Sequence, residues 1–163
     1  MEIYHGSNIA VTEPLANAGR RNLDFGKGFY TTRLKSQAQK WAYLVASRKE
    51  KNPQGIISKY EFDEECLSQQ GYVYKNFPVY DMEWLEFVVV CREGKDETNY
   101  DIVEGGVAND QVIDTVEDYE NGRITAEQAL MPRVRTLNTI FHLFLLIFKS
   151  LFIWIIISLL LIS

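Results

Sequence analysis

Residues 139–162 constrain this chain more than any other stretch. Of these 24 residues, 18 are Ile, Leu or Phe, and Lys149 is the single charge. Such a block is insoluble unless it enters a bilayer or a protein core. Its length suits a hydrocarbon layer of about 30 Å, which takes roughly 20 helical residues to cross. A lysine near the middle costs about 2.5–3.5 kcal/mol on the insertion scale, whereas each Ile, Leu or Phe contributes roughly 0.3–0.6 kcal/mol in favour, so the apolar sum wins. The expectation is a C-terminal transmembrane helix. Arg133 and Arg135 on its N-terminal side would keep the preceding residues cytoplasmic, giving a tail-anchored protein.

Residues 1–138 read as one soluble domain. They carry 16 basic and 22 acidic side chains, a net charge of −6, which argues against a non-specific nucleic-acid binder. Cys66 and Cys91 are the only cysteines and have no metal-ligand spacing, so no metal is expected; they suggest a reducing compartment, and nothing in the sequence indicates the single disulfide that two cysteines allow. The chain starts directly on the strand-like MEIYHGS, without the basic and apolar run of a leader peptide.

Local patterns predict the elements. Met1–Tyr4 is a short strand that ends at His5-Gly6-Ser7, and 8–22 is a loop. A helix follows Ser36, with Gln39 completing a capping box and Ala38, Trp41, Ala42 and Val45 on one apolar face. Ile56–Phe62 alternates as a strand, with Ile56, Tyr60 and Phe62 on the inner face. Asp81–Arg92 carries both signals. Val88-Val89-Val90 favours a strand, while the Asp81 cap and Gly94 favour a helix, which is the reading preferred here. Tyr100–Glu104 is a short strand, Asp110 opens a helix to Tyr119, and Thr125 with Gln128 caps a short final helix.

The stretch Leu23–Thr32, LDFGKGFYTT, raises the functional question. Gly26 and Gly28 let the backbone pass close to a flat ligand or take a turn that side chains forbid. Phe29 and Tyr30 then open a strand with their rings on opposite faces. His5 and Ser7 can hydrogen-bond a ribose, and the Gly6 backbone can pair with an amide. The glycines do not form a phosphate loop, because neither GxxxxGK[ST] nor GxGxxG is present.

The ordered set IYHGS, FGKGFYTT and SQAQKWA resembles the His-Tyr-Glu branch of the ADP-ribosyltransferase superfamily, the branch of poly(ADP-ribose) polymerases and diphtheria-type toxins. YHGS, RNLDFGKGFYTT, VANDQV and NGRIT resemble more closely a bacterial domain-of-unknown-function family placed in that superfamily. The resemblance implies an α+β fold: a split, mostly antiparallel sheet with flanking helices over 1–138, followed by the hydrophobic segment 139–162. It implies NAD as substrate and a protein or nucleic-acid acceptor. His5 would hold the adenosine-side ribose, and Gly6 would pair with the nicotinamide carboxamide, assisted by Ser7. Gly28 and the motif residue Tyr30 would line the nicotinamide pocket, and Trp41 would stack on the ring or fill the core.

One departure bears on activity. The superfamily places a glutamate, and the closer family a glutamine, on a late strand, yet no Glu or Gln follows Gln128. Either the copy is impaired or another carboxylate substitutes, with Glu104 and Glu86 the candidates. The apolar run begins where that strand should begin, just after Leu137-Asn138, as a shifted reading frame would also produce; the domain would then be plainly cytoplasmic. The alternatives to an impaired transferase are a non-enzymatic, membrane-anchored interaction module and a frameshifted product without function.

Overall fold

The computed structural model describes residues 1–49, 51, 53–69, 71–96, 98–107, 110–130, 144–148 and 157–160. Seven strands and five α-helices occur in the described residues: β1 (Glu2–Ser7), β2 (Phe29–Thr31), α1 (Lys35–Ser47), β3 (Ile56–Phe62), α2 (Glu65–Gln69), β4 (Tyr74–Phe77), α3 (Met82–Arg92), β5 (Ile102–Gly106), α4 (Asp110–Glu120), α5 (Ala126–Ala129), β6 (Phe144–Phe148) and β7 (Ile157–Leu160). They build a mixed α/β architecture on two small sheets. The first has the order β1-β3-β7 and is antiparallel. The second has the order β2-β6-β5-β4, with β4 and β5 parallel and the other pairs antiparallel. One bridge joins the sheets, between Tyr4 and Thr32, with N···O distances of 2.8 and 2.9 Å.

Over its described parts, the stretch 139–162 departs from the expected transmembrane helix. The described parts of that stretch, Phe144–Phe148 and Ile157–Leu160, are strands. β6 lies in the middle of the second sheet, between β2 and β5, and β7 edges the first beside β3. The second sheet carries a core cluster on each face, and a strand in a sheet covered on both faces reads as a continuous apolar run, as a membrane span does, which is why composition alone did not separate the two. No described helix is long and apolar enough to cross a membrane. Arg133, Arg135, Leu137, Asn138, His142 and Lys149 lie outside the described residues.

The first strand does not end at Tyr4: His5-Gly6-Ser7, expected as a turn, are its last three residues, in register with Ser58, Ile57 and Ile56 of β3. Two helices form as their caps predict. In α3, the Asp81 carboxylate accepts from the Trp84 N–H at 2.9 Å, and Gly94 follows the helix at φ 72°. Its buried face is Trp84, Leu85, Phe87, Val88 and Cys91, so packing at helical spacing overrides the strand preference of the valines. At α5 the capping box forms: Gln128 N–H donates to Thr125 Oγ1 at 3.3 Å and Thr125 N–H to Gln128 Oε1 at 2.8 Å. β3 alternates, but its inner face runs through Ser58, Tyr60 and Phe62, and Ile56 at its start is 37% exposed.

Helix α1 departs in two ways. It begins before Ser36, and Leu34 at its N-cap makes no side-chain cap bond. Thr32 does that work from further back, accepting from Leu34 N–H at 3.1 Å and donating to Gln37 Oε1 at 2.6 Å. The face turned to the sheets is Ala38, Ala42 and Ala46. This stripe of alanines lets α1 sit directly on β1, so close that a Cβ on Gly6 would lie 2.0 Å from the Ala38 carbonyl oxygen and 2.8 Å from Ala42 N. Larger neighbours are turned out of that contact, and Trp41 is 47% exposed.

The core has two parts. Ile102 and Val103 are adjacent on β5, so they point to opposite faces of the second sheet. Ile102 packs with Ile3, Phe29, Tyr60 and Phe62, which fill the space toward the first sheet. Val103 packs with Phe25, Phe77, Trp84, Phe87 and Val88 on the other side, under α3. β5 begins two residues later than expected and takes in both glycines, all five of its residues being buried; the Gly106 carbonyl accepts from Trp84 Nε1–H at 2.9 Å.

Candidate functional site

The seam between β1 and β2 brings the two sequence motifs together. The Tyr4–Thr32 bridge sets an antiparallel register in which Gly6 would stand opposite Tyr30, but the ladder goes no further. His5 accounts for the stop. Its Nδ1 lies 2.7 Å from the Tyr30 carbonyl oxygen, where a β1 amide would sit in a continued ladder. The ring is held by Phe29, with centroids 4.6 Å apart at 30°, and Phe29 rests edge-on against Tyr60 at 5.7 Å.

The chemistry of the seam follows from this contact. A carbonyl can only accept, so Nδ1 carries the proton and Nε2 keeps a lone pair. Burial pulls the imidazole below its ordinary pKa, and the Tyr30 carbonyl offsets part of that shift by favouring the charged form. The ring is therefore neutral at pH 7 and offers Nε2 as an acceptor. On a strand, residues two apart present their amides to the same edge. Tyr4 spends its N–H and C=O on Thr32, so Gly6 directs its own pair toward the same side, past the end of the ladder. Ser7 follows, partly buried.

The glycine-bearing loop is anchored from several directions. Gly26 takes φ 71° in a turn closed by its N–H on Leu23 O at 2.8 Å, a conformation glycine adopts without steric cost. The Tyr30 hydroxyl donates to the Gly26 carbonyl at 2.6 Å and secures the turn. Burial pushes that phenol well above its ordinary value, so it stays protonated. Tyr30 packs against the cluster under α3 and Phe29 against the opposite one, so the expected split of the two rings holds. Gly28 is buried and its carbonyl approaches Gly19, where an added Cβ would lie 2.3 Å away. Asn22, at φ 61°, donates to Arg92 O at 2.6 Å. The loop after Ser7 is fixed by Val11, which donates to Ser58 Oγ at 3.0 Å and accepts from the Tyr60 hydroxyl at 2.6 Å.

His5, Gly6, Ser7 and the Tyr30 carbonyl thus share one seam, with Gly28 entering β2 beside them, while the Tyr30 ring, expected to line the pocket, is turned to the opposite face under α3. Trp41 stands on the outer face of α1, the helix packed over Gly6. Of the two candidate carboxylates, Glu86 is on the exposed face of α3. Glu104 is buried in the centre of the second sheet, 8% exposed. Arg33 reaches it at 2.9 Å (Oε1) and 3.0 Å (Oε2), and the Tyr74 hydroxyl donates to the same carboxylate. Burial and the adjacent carboxylate both push the Tyr74 phenol up. Neither Arg33 nor Tyr74 was foreseen; they lie 71 and 30 residues from Glu104, and no local pattern links the three.

The fold and the seam define a mixed α/β domain with a split between two small sheets and a histidine in the split. The chain belongs to the family described as Protein of unknown function (DUF3990), whose model matches residues 1–145 and so extends through β5 and into β6. No curated protein and no solved structure matches the chain.

Proposed function

We propose that this chain is an NAD-binding, ADP-ribosyltransferase-like protein whose transfer chemistry is impaired. The observation that carries the reading is the seam in which His5 caps the Tyr30 carbonyl and β1 leaves the Gly6 edge unpaired by β2. With Nδ1 committed to Tyr30, Nε2 is the nitrogen left for a ribose hydroxyl. The Gly6 N–H and C=O are spaced to pair with a planar carboxamide, and Ser7 adds a hydroxyl. The Gly26–Gly28 backbone lines the approach, and Trp41, turned outward on α1, takes no part in the reading.

Loss of nicotinamide passes through an oxocarbenium-like ribosyl centre and depends on holding the ribose in one orientation. The late-strand Glu or Gln that orients it in the proteins this chain resembles has no counterpart after Gln128, and Glu104 is engaged by Arg33 and Tyr74. Binding without efficient turnover follows. Calorimetric titration of NAD into the full-length chain tests this. Saturable binding at or below millimolar NAD is expected, lost in His5→Ala, with nicotinamide release no faster than in a blank. Absence of saturable binding at millimolar NAD would overturn the site assignment, and nicotinamide release well above the blank would overturn the impairment.

A further inference from the structure

Antiparallel strands that have begun to pair gain two satisfied backbone groups with each further hydrogen-bonded residue. The ladder between β1 and β2 nevertheless ends after one bridge. His5 blocks it from the β1 side. On the β2 side, Arg33 lies two residues beyond the strand and crosses the second sheet to Glu104. Thr31 and Glu104 are both in register with Leu146 of β6, so the ion pair runs diagonally over the central strand. Tyr74 of β4 holds the far side of the same carboxylate. A carboxylate is costly to bury without partners, and the neighbouring β5 positions Ile102 and Val103 are aliphatic. Filling the core does not explain an acid here.

We propose that Arg33, Glu104 and Tyr74 are positioning residues for the seam. They hold the end of β2 on the second sheet, so that its ladder with β1 stops at Tyr4–Thr32 and the Gly6 edge stays open. Released from Glu104, β2 slides toward β1, Gly6 pairs with Tyr30, and the His5 ring is displaced from the Tyr30 carbonyl. The cluster is a shape-setting tether and touches no ligand itself.

Hydrogen exchange by NMR on the ligand-free full-length chain tests the tether in Glu104→Gln and Arg33→Met. Exchange of the His5 Nδ1 proton is expected to accelerate about tenfold while the Gly6 amide slows by a similar factor, because one loses its partner as the other gains one. Trp84 Nε1–H, bonded to Gly106 on the same strand as Glu104, serves as the reference and stays unchanged. Arg33→Lys keeps the parent pattern, because both contacts to Glu104 come from one guanidinium nitrogen that an ammonium can replace. Parallel acceleration of all three protons would reduce the cluster to ordinary stabilisation and overturn the proposal, as would no change at His5 and Gly6. If Glu104→Gln does not fold, Arg33→Met against Arg33→Lys, at a half-exposed position, gives the same decision. No NAD is present, so this result is separate from the binding test above.

Discussion

Gly6→Ala is the sharpest perturbation of the scaffold. The added methyl would sit 2.0 Å from the Ala38 carbonyl oxygen, 2.8 Å from Ala42 N and 3.0 Å from the Ala38 carbonyl carbon. All three atoms are helix backbone, so no rotamer change relieves the contact, and α1 must lift away from β1. Overpacking of a core by a methyl-sized group usually costs about 1–3 kcal/mol. Because only rigid backbone can yield here, the upper end, about 3 kcal/mol, is the expected loss. For a chain of this length that lowers the melting midpoint by roughly 6–12 °C. The control is Gly71→Ala, where φ is +72° but no atom lies within 4 Å of the new Cβ. That change carries only the left-handed backbone penalty of about 1–2 kcal/mol. Thermal or denaturant unfolding of both variants beside the parent measures the difference, with amide exchange in α1 reporting where the chain loosens. A Gly6→Ala midpoint within about 2 °C of the parent, or one no lower than Gly71→Ala, would refute the close packing of α1 on β1.

Three further outcomes are expected. His5 has a folded pKa below its unfolded value, so its contribution is complete above about pH 6.5 and is lost as pH falls toward the folded value. His5→Gln should flatten stability against pH in that window, and an unchanged slope there would count against a buried neutral imidazole. Asp81→Ala removes the α3 cap and should cost about 1 kcal/mol in denaturant unfolding, whereas Asp81→Asn retains most of it. A chain ending at residue 143 lacks β6 and β7, leaving β2 without its sheet partner and β5 with only β4. It should show no cooperative melting transition, and a sharp transition close to the parent's would mean that the apolar stretch is dispensable to the fold.

Much of the candidate site was legible because its pieces are short and local. The glycines before Phe29-Tyr30 and the aromatic alternation each follow from the stereochemistry of a few neighbouring residues, whereas His5-Gly6-Ser7, expected as a turn, continue β1 because they pair with β3. What joins them is not local. Twenty-five positions separate His5 from Tyr30, and the imidazole's place on the Tyr30 carbonyl exists only once both strands are side by side. The same holds for the cluster at Glu104: the carboxylate stood out as a candidate in the sequence, but Arg33 and Tyr74 become its partners only once the second sheet aligns them.

The sequence by itself determined the capped helix α5 and the alternation of β3, since a cap or an alternating face is settled within a turn or a few residues; in α3 the Asp81 cap competed with three strand-favouring valines, and packing of its apolar face decided. It left open which side of α1 is buried, because Trp41 and the alanines are both apolar, and only the close approach to Gly6 selects the small ones. It also left open what the C-terminal apolar run becomes. A bilayer and a central strand of a sheet covered on both faces make the same demand on composition, and the difference lies in where the backbone hydrogen bonds go. Along a helix they close within the run itself. In β6 they go to β2 and β5, the first more than a hundred residues away, and that partnership is a decision of the tertiary structure alone.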